Sequence, residues 1–328
     1  MMNKPEKIDI ILPLRIGDCI FTLPALLCLK QLLEADGDRK FDINILSTNK
    51  LTNIIKALGL FPVYQYNGFA KIKSWFMPSD KAIFLHTSTQ NLGFSAKQTY
   101  GQIIAGKKVK YDNNMPYLAL SQTQNYLPVS LFKYLKEVHN FPMVVISFFG
   151  LCLEAGFSAD DIINNFNFND NSLELKQCVS NYEISTDNYA IMCMEAAYGS
   201  KRDSDRRFPP EKYFEISKLI KEKYGLNSVY IGIDDTVKLP TAEHIKDLRK
   251  KLSLEDMINV IKSSKCYIGN DTGPLHLVNL MKKPSLAIYA REDGMQNNYY
   301  PVFHKINTSV LGIPKPEEVE KLMVSFYF

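Results

Sequence analysis

The stretch Tyr267–Leu277, YIGNDTGPLHL, has the pattern of a strand that stops at a polar turn and then starts a helix. Gly273 allows the backbone to approach a ligand closely, and Pro274 suits the first position of a helix. The free N–H groups at such a helix start, together with the positive end of the helix dipole, favour a bound anion. A carboxylate, a hydroxyl and an imidazole are added at the same place by Asp271, Thr272 and His276. The stretch therefore predicts a site for a phosphorylated sugar or nucleotide, although a plain capped turn uses the same residue types.

Short apolar runs alternate with helical segments along the rest of the chain. The predicted strands are residues 8–14, 41–47, 63–66, 82–86, 189–194, 228–233, 266–269 and 285–289. The first predicted helix follows the loop 15–18 and ends near residue 35. The other predicted helices cover residues 49–58, 96–105, 210–224 and 242–251. One more is capped by Ser253, with Asp256 in the reciprocal position, and a tail helix starts at Pro316. Strands separated by helices predict parallel sheets wound on both faces.

The chain of 328 residues is long enough for about two domains at roughly 150 residues each. Residues 158–188 are rich in asparagine and lack periodicity, which indicates the junction. We predict an N-terminal Rossmann-like domain over residues 1–180 and a C-terminal one over residues 181–313, with a cleft between them. The terminal helix, residues 314–328, carries an apolar stripe for which the N-terminal domain is one candidate partner.

Composition excludes several classes of protein. Hydrophobic residues make up 46% of the chain and charged residues 23%, which is typical of a soluble globular enzyme. No apolar window of about 18 residues is free of charge, and the first residues lack the apolar centre of a signal peptide, so we expect a cytoplasmic location. The six cysteines are scattered without the spacing of a zinc site. A net charge of +4 without long basic blocks argues against a nucleic-acid partner.

Two other segments carry candidate site residues. Gly17–Asp18 follows the first predicted strand, where ligands bind in open α/β sheets. Asp18 is equally suited to capping the next helix, although Thr22 and Pro24 offer another helix start that would leave Asp18 in a loop. The loop 199–210 also follows a strand, and its basic side chains could reach the phosphate at the Asp271 turn; a solvated charged loop is the alternative. Its candidate binding residues are Ser200, Lys201 and Arg206.

A metal site is not predicted from the two D-x-D triplets. Asp36–Asp38 is typical of a turn with glycine at its centre. Asp203–Asp205 lies among basic residues that could do the electrostatic work of a metal. The basic cluster 107–110 suits phosphate groups or an anionic membrane surface, and a solvated basic face explains it equally well.

Three segments together resemble glycosyltransferase family 9, the ADP-heptose:lipopolysaccharide heptosyltransferases. They are Leu14–Leu26 (LRIGDCIFTLPAL), Lys201–Phe214 with its RRFP core, and Asn270–Leu277 (NDTGPLHL). The resemblance implies a GT-B fold, in which two Rossmann-like domains with parallel sheets face a central cleft. It places the nucleotide-sugar donor on the second domain and the acceptor on the first.

The resemblance also implies roles for individual residues in an inverting transfer that uses no metal or other cofactor. Asp18 would be the general base, with Arg15 and Gly17 on the acceptor side. Arg206, where the family has lysine, would neutralise the leaving diphosphate together with the N–H groups of Thr272 and Gly273. Ser200 and Lys201 are assigned to donor binding. His276 would lie near the diphosphate or the sugar, and the backbone at Leu252 would hold adenine. Asp271 is assigned to the donor site.

The partners implied are ADP-heptose as donor and a lipid-linked or glycan acceptor, with peripheral contact at the inner face of the cytoplasmic membrane. Three alternatives are a family member that uses a hexose or N-acetylhexosamine nucleotide, a GT-B nucleotide-sugar epimerase, and a non-catalytic sugar-nucleotide binder. The chain departs from the family pattern at Arg206, at Ala290–Glu292 and at Asp234–Asp235. These departures concern which nucleotide sugar is the donor.

Overall fold

The chain divides into two compact units, Met1–Lys176 and Gln177–Phe328. The computed structural model describes residues 5–13, 15–37, 40–47, 49–85, 96–100, 118–120, 125–168, 188–195, 208–290 and 307–327, together with residues 173, 182 and 184. The division falls inside the asparagine-rich region that predicted the junction.

The first unit is built on a parallel sheet whose strand order is β3-β2-β1-β4-β5. Its strands are β1 (Glu6–Ile11), β2 (Phe41–Ser47), β3 (Val63–Gln65), β4 (Ser79–Phe84) and β5 (Ala96–Tyr100). β1 is central and its isoleucines are buried, with Ile8 opposite Ile43 and Ile10 opposite Ile45 in β2. A separate antiparallel pair consists of β6 (Leu118–Leu120) and β7 (Asn125–Leu127).

The described helices of the first unit include α2, which is almost wholly apolar. They are α1 (Ile16–Phe21), α2 (Leu23–Ala35), α3 (Asn49–Leu58), α4 (Gly68–Phe76), α5 (Val129–Lys133) continued by a π-helical turn (Tyr134–Val138), α6 (Met143–Ser147), α7 (Gly150–Glu154) and α8 (Ala159–Asn165). α2 packs against α6, α7 and α8. Residues 16–35 are long and apolar enough to cross a membrane by length and composition alone, but most of this stretch is buried inside the unit, as in the core helix of a soluble protein.

The second unit is built on a parallel sheet whose strand order is β10-β9-β8-β11-β12-β13. Its strands are β8 (Tyr189–Cys193), β9 (Asn227–Tyr230), β10 (Ile245–Asp247), β11 (Cys266–Asn270), β12 (Ser285–Tyr289) and β13 (Asn307–Leu311). In both units the first strand is central and the chain winds outward in two directions, which is the doubly wound Rossmann order. The predicted α/β class with two parallel sheets is confirmed.

Within the described residues, four helices of the second unit flank this sheet. They are α9 (Pro210–Tyr224), α10 (Leu254–Ser263), α11 (Gly273–Leu280) and α12 (Pro316–Tyr327). α12 packs against α9 and β12, and its Val319 and Met323 lie in the core of the second unit. The apolar stripe of the terminal helix, for which the first domain was one candidate, thus has a partner within its own unit.

Each predicted strand is found, with ends that differ by at most three residues, but two predicted helices are wrong. Ala96–Tyr100, within the helix predicted over residues 96–105, is an edge strand that pairs in parallel with β4. Ile245–Asp247, within the helix predicted over residues 242–251, pairs in parallel with β9. Both segments are short and polar, so pairing with a neighbouring strand outweighs their weak local preference.

The junction predicted over residues 158–188 is also too long at its start. Residues 159–165 form α8, which belongs to the first unit and packs on α2. Ser158 caps this helix, because its Oγ accepts the N–H of Asp161 at 3.0 Å while the Asp161 carboxylate accepts the N–H of Ser158 at 2.7 Å. This capping box stabilises a helix that was not predicted from its asparagine-rich sequence.

Candidate functional site

The turn between β11 and α11 has the form that its sequence predicted. β11 ends at Asn270, Thr272 is the N-cap of α11, and Pro274 occupies the first turn of the helix. Among the described residues, the N–H groups of Thr272 and Gly273 have no hydrogen-bond acceptor, and the first helical bond is donated by Leu275 to the Thr272 carbonyl at 3.1 Å. The turn therefore offers two amide donors at the positive end of a helix, which suits an anion.

Asn270 fixes the strand end that leads into this turn. Its Nδ2 donates to the Met194 carbonyl at 3.0 Å, and its Oδ1 accepts a hydrogen bond from the Tyr213 hydroxyl. The Tyr267 hydroxyl donates to the Asn270 carbonyl at 3.1 Å. These buried bonds tie the turn to β8 and α9, so the amide donors are held by a rigid frame.

Gly269 permits β11 to lie against β8. A Cβ at this position would stand 2.4 Å from the Cys193 carbonyl oxygen and 2.8 Å from the Tyr267 hydroxyl. Only glycine fits this close approach of two backbones. Gly269, in the strand before the turn, therefore sets how closely β11 approaches β8 there.

Asp271 and His276 form a buried pair beside the amide donors. The His276 Nε2 lies 3.4 Å from the Asp271 Oδ1, and both side chains are almost completely buried. The Asp271 N–H donates to the Ile288 carbonyl at 3.2 Å, which anchors the carboxylate to β12. A carboxylate bound to one ring nitrogen fixes the orientation of an imidazole. Both residues were predicted for this site, and the structure brings them together.

Glu195 forms a second polar centre at the same edge of the sheet. It follows β8 and accepts the N–H groups of Ile233 at 2.6 Å and Asp234 at 2.7 Å, which fixes the loop after β9. Gly232 has φ +149°, and a Cβ there would stand 2.3 Å from the Glu195 carboxylate. Burial raises the pKa of the Glu195 carboxyl, and the two N–H bonds oppose that rise.

Arg249 orders the loop after β10. Its guanidinium donates to both carboxylate oxygens of Asp247, at 2.9 and 2.8 Å, and this pairing raises the pKa of the arginine. Its Nη1 is buried and has no hydrogen-bond partner among the described residues. Arg249, Asp247 and Lys251 line one side of a cavity of about 450 Å³. This loop runs directly into Leu252, the residue predicted to hold adenine.

Leu252 is half-buried between that loop and α10. Ser253 caps α10 through the predicted reciprocal bonds, since its Oγ accepts the Asp256 N–H at 3.1 Å and its own N–H donates to the Asp256 carboxylate at 3.2 Å. The capping box is therefore confirmed. The capping box fixes the chain direction at Leu252. The Leu252 backbone follows β10, which is the edge strand of the same sheet that carries the Asp271 turn.

The first unit holds the remaining described candidates. Asp18 lies in the first turn of α1 and is half-buried, and Arg15 is the exposed N-cap residue of that helix. The expectation that a helix start at Thr22 would leave Asp18 in a loop is wrong, because both starts are used: α1 contains Gly17 and Asp18, and α2 begins after Thr22. Asp18 nevertheless follows the central strand β1, where ligands bind in this class of sheet.

Several predicted residues lie outside the described part of the chain. They are Ser200, Lys201 and Arg206 of the basic loop, and the 107–110 cluster. Their predicted roles stay predictions. Within the described residues, the second unit brings together Asp271, Thr272, Gly273 and His276 and carries Leu252 on the same sheet.

The family model for glycosyltransferase family 9 (heptosyltransferase) matches residues 118–323. This range is more than half of the chain. The chain belongs to glycosyltransferase family 9. The predicted resemblance to this family is confirmed. The prediction that the protein is a glycosyltransferase is confirmed with it.

Individual relatives agree with this family. Lipopolysaccharide heptosyltransferase 1 of Campylobacter coli is 25% identical over 129 residues, which are 36% of this chain and 38% of that protein. The E. coli ADP-heptose LPS heptosyltransferase II structure covers 97% of this chain and 98% of its own at a TM-score of 0.61 and 14% identity. The E. coli heptosyltransferase WaaC with ADP covers 97% and 99% at a TM-score of 0.59 and 16% identity. These structural likenesses confirm the GT-B fold of this family 9 chain.

Sequence reasoning missed Glu195 and Arg249 in this family 9 site. Each is a single charged residue in no motif, and its partners come from other parts of the chain. The one available signal for Glu195 was its position immediately after a predicted strand, at the edge where α/β sheets bind ligands. No comparable signal marks Arg249, because its segment was predicted as a helix.

Proposed function

We propose that this family 9 protein transfers heptose from ADP-heptose to a sugar of the lipopolysaccharide core or a related glycan, with inversion at the anomeric carbon and without a metal ion. One observation carries the proposal. In a chain of a heptosyltransferase family, the β11–α11 turn offers the N–H groups of Thr272 and Gly273, which have no acceptor among the described residues, at the positive end of a helix. This arrangement has the charge and hydrogen-bonding capacity that a nucleotide diphosphate requires.

The donor is proposed to bind along the carboxyl edge of the second sheet. The diphosphate accepts the two N–H bonds, and Arg206, with Ser200 and Lys201, adds donors from the basic loop. His276, held by Asp271 at 3.4 Å, contacts the diphosphate or the sugar. Adenine binds at the Leu252 backbone. Fixed positive groups around the leaving diphosphate lower the barrier most, because negative charge develops there as the bond to the sugar breaks.

The acceptor is proposed to bind on the first unit, with Arg15 and Gly17 beside the catalytic Asp18. The acceptor hydroxyl oxygen attacks the anomeric carbon from the face opposite the diphosphate, while the bond from that carbon to the phosphate oxygen breaks. Asp18 takes the hydroxyl proton, and ADP leaves with the electron pair of the broken bond. One displacement inverts the anomeric configuration, and a single general base is sufficient for it.

We also infer a cytoplasmic location, at the inner face of the cytoplasmic membrane, with no cofactor. The reason is the nature of the donor, which is a charged and water-soluble nucleotide sugar. The second candidate is a family member that uses another nucleotide sugar. It is favoured by the departures at Arg206, which replaces lysine, and at Asp234–Asp235.

The test is a transfer assay with the purified full chain, ADP-heptose and a panel of core-sugar acceptors, with the product identified by mass spectrometry. We expect a heptosylated product of inverted configuration, stoichiometric ADP release, and the same rate in excess EDTA. ADP-heptose that neither reacts nor binds would contradict the donor assignment, and calorimetry with UDP and GDP sugars would then identify the donor. Epimerised sugar nucleotide without acceptor would identify an epimerase.

Asp18→Asn separates an enzyme from a sugar-nucleotide binder. We expect loss of transfer with donor binding retained. Asp160→Asn is the matched control, because Asp160 is also a first-turn acidic residue of the first unit and is exposed on α8. Equal transfer by both variants would remove Asp18 from the mechanism.

A further inference from the structure

The sheet of the first unit carries polar side chains on part of one face. In the parallel pair β1–β2, Lys7 lies opposite Asp42, and Asp9 lies opposite Asn44. Because successive side chains of a strand point to opposite faces, these four residues share one face of the sheet. Parallel strands covered by helices usually carry apolar side chains on both faces. Polar groups placed there cost folding free energy unless they have bonding partners, so this departure from the usual pattern points to a ligand.

A cavity of about 410 Å³ adjoins the four polar residues. Its wall also includes Tyr64 of β3 and Phe69, Lys73 and Ser74 of α4, and we call it the α4 cavity. Asn67 fixes the start of that helix, because its side chain accepts the Ala70 N–H at 3.0 Å. The volume lies within the range of small-molecule sites, roughly 300–1,000 Å³.

The α4 cavity has a buried floor and an exposed mouth. At the floor, Asp9 is 6% exposed and Ser74 is 4% exposed, whereas Tyr64 and Phe69 at the mouth are 52% and 75% exposed. The Asp9 Oδ1 accepts a hydrogen bond from the Asn44 Nδ2 at 3.1 Å. Burial raises the pKa of the Asp9 carboxyl, and the Asn44 bond opposes that rise. A carboxylate can accept about four hydrogen bonds, so Asp9 has capacity for donors that a ligand brings into the cavity.

The charges around the α4 cavity are balanced. Lys7 and Lys73 line it together with Asp9 and Asp42. Asp80, whose carboxylate accepts the Lys7 N–H at 2.9 Å, is outside the lining. Two positive and two negative side chains do not favour a simple anion or a simple cation. The described residues also contain no group of three His, Cys, Asp or Glu side chains suited to a metal ion.

This lining matches an uncharged ligand with several hydroxyl groups. A hydroxyl group donates to a carboxylate and accepts from an ammonium or amide group, and the cavity offers all three. The C–H groups on one face of a sugar ring carry a small positive charge, which suits the negative face of an aromatic ring. Tyr64 and Phe69 supply two aromatic rings at the mouth.

We propose that the α4 cavity binds an uncharged pyranose ring of a glycan, at a site separate from the transfer site. The ring packs against Tyr64 and Phe69, and its hydroxyl groups donate to the carboxylates of Asp9 and Asp42. This inference goes beyond the proposed function, because such binding requires neither the nucleotide sugar nor Asp18. A glycan held in the cavity stays on the first unit whether or not a sugar is being transferred.

The position of the α4 cavity supports a separate site. Arg15, Gly17 and Asp18 follow the carboxyl end of β1 and are not among the residues that line the cavity. Lys7 and Asp42 lie near the amino ends of β1 and β2. The proposed sugar therefore binds along the face of the sheet, whereas transfer is proposed at its carboxyl edge.

Binding of simple glycosides to the full chain tests the proposal. The probes are the methyl α-glycosides of D-glucose, D-galactose and D-mannose, measured by saturation-transfer NMR and calorimetry without nucleotide. We expect at least one of them to bind with a Kd of roughly 0.1–10 mM, as suits a ligand of this size. Absence of binding by all three would overturn the proposal. So would binding of ethylammonium or acetate with no binding of any glycoside, because that result would indicate an ion site.

Substitutions of Asp9 test the floor of the cavity. Asp9→Leu should lower the glycoside affinity at least about tenfold, because it removes hydrogen bonds to a charged group. Its Tm should be unchanged or raised, since a buried charge is replaced by an apolar side chain. Asp9→Asn keeps an acceptor for Asn44 and should lower the affinity about threefold or more. Asp160→Asn, on the exposed part of α8, is the control. A fall in Tm with unchanged affinity in both Asp9 variants would show a structural role and overturn the proposal.

Two phenylalanines of α4 provide a matched pair for the mouth of the cavity. Phe69 lines the cavity, whereas Phe76 is 81% exposed and does not line it. Phe69→Ala should lower the glycoside affinity about three- to tenfold, because the ring loses an aromatic contact. Phe76→Ala should leave it unchanged. Equal effects of the two substitutions would overturn the proposal.

The outcome is separable from that of the proposed function. Glycoside binding should be the same in Asp18→Asn as in the wild type, and the same with ADP present. Loss of binding in either case would place the sugar at the transfer site and overturn the separate cavity. Glycoside binding that depends on Asp9, without any heptose transfer, would support the cavity and count against the proposed function alone. Transfer without glycoside binding would have the opposite meaning.

Discussion

Gly269→Ala probes the frame of the proposed phosphate site without touching the ligand. The new Cβ would stand 2.4 Å from the Cys193 backbone oxygen. An ordinary contact needs about 3.5 Å, so β11 and β8 would have to separate by about 1 Å. Overpacking of this kind costs about 2–3 kcal/mol of unfolding free energy. For a unit of roughly 150 residues this corresponds to a fall of about 4–12 °C in Tm.

The displacement also moves the amide donors of Thr272 and Gly273, which follow Gly269 by a few residues. A misplacement of about 1 Å lowers turnover by up to about 10²-fold. Thermal unfolding followed by circular dichroism and the transfer assay measure the two effects. Gly68→Ala is the control, because nothing lies within 4 Å of a Cβ there, and it should leave Tm unchanged or slightly raised. An unchanged Tm and turnover in Gly269→Ala would refute the close approach of β8 and β11.

Three further predictions follow from the same structure. Asp18→Asn should lower kcat by about 10²–10⁴-fold with the Kd for ADP unchanged, and a higher Kd with normal kcat would contradict its role as general base. Because burial raises the pKa of Glu195, the stability linked to this group is greatest below the ordinary value of 4.5 and declines as the pH rises through the raised pKa. Glu195→Gln lacks that decline but leaves one N–H without a full acceptor. Its Tm should therefore lie below that of the wild type at pH 4.5, and the difference should narrow as the pH rises above 4.5; a constant difference would count against ionisation of Glu195. Ser253→Ala should cost about 1 kcal/mol in urea unfolding, and a loss near zero would contradict the capping box with Asp256.

The interior of the fold was predictable because local patterns and tertiary packing agree there. The buried strands β1, β8, β11 and β12 are short apolar runs, and each follows or precedes a helix with a recognisable start. The helix starts at Ser253 and Pro316 were read from capping chemistry, which is local in sequence. The edge strands β5 and β10 were not predictable, because their conformation depends on a neighbouring strand and not on their own residues.

The candidate site divides in the same way. The Asp271 turn was predicted because its glycine, proline and N-cap residues are consecutive in sequence. The bonds from Glu195 to the loop after β9 join residues 38 and 39 positions apart, and no local pattern encodes them. Helix α4 is also absent from the predicted helices, although Asn67 caps its start by accepting the Ala70 N–H.

A crystal structure of the chain with ADP is the most direct test of the proposed donor site. We predict β-phosphate oxygens at about 2.8–3.2 Å from the backbone nitrogens of Thr272 and Gly273, with the adenine against the Leu252 backbone and Arg206 on the diphosphate. A diphosphate bound away from the β11–α11 turn, with the two amide groups left unpaired, would contradict the account.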